Sequence, residues 1–234
     1  MATTVMKSTS FEPSAMSFSK LRKNKNGGKT VYILASGNKK TYIQLPYMRA
    51  PFGLSSYTDE KSGTTSYNIN LSFDSNNPEL CELEKKMTNI DEQVIELVSK
   101  NSKEWLGKTY NIAVIKEALY KPLVQPSKTG TDGNTYSPTM RIKVLFDNMK
   151  QTFIPTAYNS KREEVSLDSI EKQQRILTII DINQIWFVDN KFGVSVRLQQ
   201  ALLEPSQKLP AFAFDIDKNE DEDENEDEDE IDFE

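Results

Sequence analysis

Residues 66–73, SYNINLSF, and residues 137–146, SPTMRIKVLF, decide the fold class. In the first, Tyr67, Ile69, Leu71 and Phe73 alternate with Asn68, Asn70 and Ser72; in the second, Met140, Ile142, Val144 and Phe146 point one way and Arg141 and Lys143 the other. Side chains leave a strand on alternate sides, so a period of two marks a half-buried strand with one apolar and one polar face. Outward from these two stretches lie further short runs of strand type: VYILAS (31–36) and TYIQL (41–45) before them, then FIPTA (153–157), RILTIIDINQIWFV (175–188) and KFGVSVRLQQALL (191–203) after them. The turn-like pair Asp189-Asn190 joins the last two as a hairpin.

One segment breaks the pattern. Between Asn77 and Trp105 the apolar residues, Val94, Ile95, Val98 and Trp105 among them, fall at helical spacing, with Asn77 as N-cap and Pro78 at the first helical position. A second start at Thr88 predicts either two helices or one helix broken there. Residues 125–138, QPSKTGTDGNTYSP, have the composition of a loop. About seven short strands with one helical insertion, joined antiparallel and without βαβ alternation, predict a mainly β chain: an OB-fold-like antiparallel β-barrel with an inserted helix, or else a β-sandwich.

Charge divides the chain of 234 residues into three parts. Residues 1–28 have the composition of a flexible basic N-terminal arm, residues 29–214 carry the strand and helix signals, and residues 215–234 form an acidic C-terminal tail expected to be disordered. From Asp215 onward fourteen acids stand against Lys218 alone, a net of -13 within the total of -6, which leaves the rest of the chain at +7. A basic body attracts polyanions, and a like-charged block repels itself until it meets a cationic surface. The tail also ends on two large apolar residues, Ile231 and Phe233, set among Asp229, Glu230 and Asp232.

Several enzyme chemistries lose support. There is no histidine, the side chain that supplies most acid/base chemistry near neutral pH and most metal ligation. Gly27-Gly28-Lys29-Thr30 lacks the spacing of a phosphate-binding loop, and Glu163, Glu164 and Asp168 sit in a polar stretch that reads as charge-paired surface. No cofactor and no metal are expected. A single cysteine, Cys81, and the lack of a long apolar run predict an intracellular chain without an intramolecular disulfide or a membrane span.

Residues 42–57, YIQLPYMRAPFGLSSY, place Tyr42, Tyr47, Phe52 and Tyr57 around Arg49. Spacing leaves two readings open: core aromatics with PFG as a turn, or rings that stack on unpaired bases. Candidate phosphate contacts are Arg49, Lys103, Lys108, Arg141, Lys143 and Arg197; candidate stacking groups are Tyr47, Phe52, Tyr57, Trp105 and Tyr136. Asp229, Glu230, Ile231, Asp232 and Phe233 are candidates for a switch, since a polyanion tipped with an aromatic ring imitates what a single strand offers a basic cleft. The competing readings are an acidic-tailed chaperone for basic proteins and a metal-dependent nuclease.

LPYMRAPFGLSSY (45–57), SYNINLSF (66–73), EWLGK (104–108), YSPTMRIKV (136–144) and the ending DEIDFE (229–234) resemble the replicative single-stranded-DNA-binding proteins of small-tailed phages and large eukaryotic DNA viruses, the large-virus branch more closely. That resemblance implies an OB fold and sequence-independent binding of single-stranded DNA in viral replication, recombination and repair. It also implies frequent homodimerisation and tail contacts with replication proteins such as polymerase and helicase/primase. The site of action would be the host nucleus or a cytoplasmic viral replication site.

Overall fold

The structure is a computed structural model that describes residues 5–23, 27–35, 39–131 and 133–205. Its strands, in chain order, include β1 (Lys29–Leu34), β2 (Tyr42–Gln44), β3 (Met48–Arg49), β4 (Leu54–Thr58) and β5 (Thr65–Ser72). After helix α1 (Pro78–Lys100) follow β6 (Thr139–Val144), β7 (Arg175–Val188) and β8 (Lys191–Leu203). The alternation seen in the sequence is the alternation of the barrel wall. Ile69, Leu71, Met140, Ile142 and Val144 are buried, while Arg141 and Lys143 are exposed.

Five strands close a ring. β5 runs antiparallel to β6 over six pairs, from Thr139 opposite Ser72 to Val144 opposite Tyr67. β7 and β8 form the long hairpin, in which Asp189 and Asn190 both take positive φ (52° and 54°), the turn geometry that matches strand twist. β3 links β7 to β5, through Arg175 opposite Arg49 and Arg49 opposite Ser72. The ring shuts where β6 meets β8 at Lys143 opposite Arg197, a parallel contact of one residue pair. Irregularities in β7 near Ile179 and Asn183 bend the hairpin around the ring, as bulges do. The chain is therefore mainly β with a helix inserted between strands, as its periodicity predicts. The sheet is mixed rather than wholly antiparallel, because Tyr120–Lys121 and Thr156–Tyr158 also join β8 in parallel.

α1 is a single helix, not two. Asn77 caps it, its side-chain oxygen accepting from the amides of Glu79 and Leu80 at 3.0 and 3.4 Å. Leu80, Leu83, Met87, Ile90, Val94 and Val98 line one buried face straight through Thr88, which is exposed. Residues 5–23 also correct the expected loose arm. Phe11 and Met16 are buried in the core, and Ser17–Phe18 and Arg22–Lys23 pair with β1. Two apolar anchors outweigh the polar composition that suggested an arm. The acidic tail, with Asp229 to Phe233, lies outside the described residues.

Candidate nucleic-acid interface

The outward faces of β5 and β6 floor a groove of about 880 Å³. Strand alternation presents Asn68 and Asn70 from β5 and Arg141 and Lys143 from β6, with Asn70 opposite Arg141 and Asn68 opposite Lys143. Phe52, Tyr136 and Trp186 also line the groove, with Phe52 57% and Tyr136 55% exposed. Lys121 and Lys128 bring the cations to four, and no Asp or Glu among the described lining residues offsets them. None of the four forms a salt bridge among the described residues.

Trp186 owes its place to a glycine. It pairs across the hairpin with Gly193, where a Cβ would come within 2.9 Å of Trp186 Cζ2 and 2.8 Å of the Lys121 carbonyl oxygen. Only a bare backbone lets the indole lie against β8 while the strand Tyr120–Lys121 packs on the same residue. That wall is tied to α1 from below. The buried Asp91 carboxylate accepts from the Tyr120 hydroxyl and from the amides of Leu123 (3.0 Å) and Val124 (3.4 Å). Burial pushes the Asp91 carboxyl up to about 6 despite these donors. At the margin, Tyr67 packs against Phe146 and Phe153, with ring centroids 5.2 and 5.1 Å away.

Residues 67–216 match a family described as a family of unknown function, DUF5871. The chain belongs to that family. No curated protein matches the sequence. Among solved structures, gp2.5, a single-stranded DNA binding protein encoded by bacteriophage T7, is similar at 11% identity and a TM-score of 0.45, covering 77% of this chain and 97% of that one. The single-stranded DNA-binding protein from bacteriophage Enc34 in complex with ssDNA is similar at 15% identity and a TM-score of 0.39, covering 82% and 97%. Likenesses this distant assign no function to this chain; the groove has to carry that reading.

Of the residues singled out in the sequence, the groove brings together Phe52, Tyr136, Arg141 and Lys143. Tyr57, 61% exposed, stands opposite the lining residue Ser66 at the groove's margin. Others are elsewhere. Tyr47 and Arg49 line a different recess, where Arg49 donates to Gln173 at 3.2 Å and Arg175 lies 5.7 Å from the Tyr47 ring. Trp105 is buried, edge-on to Phe187 at 5.9 Å, so it is a core residue and not a stacking platform. Lys103 and Lys108 are exposed beside it and do not line the groove. Arg197 is next to Lys143 in register but half-buried, with Asp181 as its other neighbour. Burial raises the Asp181 carboxyl, while the Asn183 hydrogen bond and the charges of Lys40 and Arg197 pull it back; Arg197 makes no ion pair among the described residues, and its buried Nε has no hydrogen-bond partner there.

The sequence reading missed Trp186, Lys121 and Lys128. A signal existed for Trp186. Counting back from the Asp189-Asn190 turn pairs it with Gly193 and sets it on the face opposite Ile185 and Phe187. Lys121 and Lys128 lie on two-residue strands with no period to read.

Proposed function

We propose that the groove binds single-stranded DNA. One observation carries the reading: Phe52, Tyr136 and Trp186 share an open groove with Lys121, Lys128, Arg141 and Lys143, with no acidic lining residue among those described. Rings that stack on bases contribute about 1 to 3 kcal/mol per base, and cations that track phosphates supply the rest of the affinity. Stacking tolerates every base, so the binding is broad in sequence. The protein acts by binding, not by turnover. It coats exposed strands during viral DNA replication, recombination and repair inside the host cell.

The same reading gives the tail its role. Residues 215–234 compete with DNA for the four cations, and once displaced, Ile231 and Phe233 with their acidic neighbours recruit replication proteins such as polymerase and helicase/primase. Homodimerisation goes with this assignment.

The test is a fluorescence titration. Of the two tryptophans, Trp105 is buried and Trp186 lines the groove, so quenching reports the site directly. Single-stranded oligonucleotides should quench strongly and duplex weakly. The logarithm of affinity should fall with the logarithm of salt, at a slope of about -3 for four phosphate contacts on a single strand when residues 215–234 are removed and at a shallower one in the full-length protein. Equal response to duplex, or no response at low salt, overturns the reading; binding of a basic protein instead would favour a chaperone.

A further inference from the structure

The groove floor holds a polar group that neither stacking nor phosphate neutralisation uses. Asn68 sits in the middle of β5, between Ser55 of β4 and Lys143 of β6 in register, and is only 6% exposed. Its amide makes no hydrogen bond among the described residues. Neither its oxygen nor its nitrogen is among the fully enclosed unpaired atoms, so both keep an opening, and the residue lines the groove. Asn70, one step along the same face, is half-buried. Side-chain amides as buried as Asn68 are ordinarily paired, because a donor and an acceptor withdrawn from most of their water need partners. Here no described residue supplies them, and the opening leaves both atoms to whatever occupies the groove, water or a ligand.

We propose that Asn68 reads the edge of a base. This rests on the groove's assignment to single-stranded DNA and adds a preference at one position within otherwise sequence-tolerant binding. The amide is a fork of one acceptor beside one donor. Adenine completes it: its exocyclic amine donates to Asn68 Oδ1 while an adjacent ring nitrogen accepts from Nδ2, the pairing that Asn makes with adenine in protein–DNA recognition. A base held by stacking on a neighbouring ring would present its edge to the floor, where the amide lies. Arg141 and Lys143 beside it are left for phosphates.

The experiment compares the full-length protein with its Asn68→Ala and Asn68→Thr variants on oligo-dA and on the same oligomer of deoxynebularine, a purine that keeps the stacking ring and lacks the exocyclic amine. Wild type should bind the deoxynebularine oligomer about 5- to 100-fold more weakly, and both variants should bind the two oligomers equally. Threonine preserves a strand-forming residue and lacks the fork. Equal loss of discrimination in both variants, with oligo-dT binding retained, therefore reports the fork and not unfolding. The same ratio in variants and wild type, or no discrimination by wild type, overturns the role of Asn68 while leaving single-strand binding intact. Failure to bind any single strand overturns both.

Discussion

The Asp91 carboxylate takes hydrogen bonds from the Tyr120 hydroxyl and the Leu123 and Val124 amides, yet its burial prevails and lifts it to about 6. A folded pKa above the unfolded value near 3.8 means that the folded state holds this proton more tightly. Its contribution is whole below about pH 4 and is lost as pH rises to about 6, a change on the order of 3 kcal/mol. Asp91→Asn should abolish that slope. It should also lower stability at pH 7 by about 1 to 3 kcal/mol, because an amide NH2 would face the Leu123 and Val124 donors. Urea unfolding at pH 4, 5, 6 and 7 measures both effects, and an unchanged slope would rule Asp91 out. Gly193→Ala tests the groove wall by sterics alone. A methyl within 2.9 Å of the indole and 2.8 Å of a backbone carbonyl has to displace one of them. The expected cost is about 1 to 3 kcal/mol in urea unfolding, with a shift in Trp186 emission. Wild-type stability and emission would show that the two walls yield freely.

Among the elements, β6 supplies two of the groove's four cations, because its alternation turns Met140, Ile142 and Val144 into the barrel and Arg141 and Lys143 outward. Replacing Arg141 and Lys143 together by Ala should lower affinity for single strands and reduce the magnitude of the salt slope by about 1.4, while Lys103→Ala with Lys108→Ala should change neither. Equal effects from the two pairs, read by the Trp186 titration, would detach the groove from binding. The contrast also shows what a sequence can reveal. Strand period exposed Arg141 and Lys143 because one face of β6 is buried, and the cap at Asn77 with its following Pro78 marked the start of α1. What periodicity could not show was which side of the barrel a residue serves. Tyr47 and Arg49 sit only a few residues before Phe52, yet they line another recess, since the turn at Pro51–Gly53 redirects the chain between β3 and β4. Trp105 looked like a free aromatic after a helix because its cover, Phe187, comes from a strand more than eighty positions away.

Across the whole molecule, a body of net +7 and a terminal block of -13 belong to one chain, and the described chain gathers four unpaired cations in one groove. Residues 215–234 begin ten positions after Pro205, and ten residues can reach at most about 35 Å, comparable to the size of the body. On the proposed reading, tethering holds this anion at high effective concentration near the cations, and an incoming strand would have to displace it. Salt would then weaken the tail's hold as well as the strand's, which would flatten the full-length protein's response to salt. Deleting residues 215–234 should therefore raise affinity for oligo-dT at low salt and steepen the slope of log affinity against log salt, with the two proteins converging as screening grows. Fluorescence titrations of both proteins from low to high salt measure this directly. Identical affinities at low salt would mean that the acidic block never occupies the groove, and its role would then have to lie wholly with partner proteins.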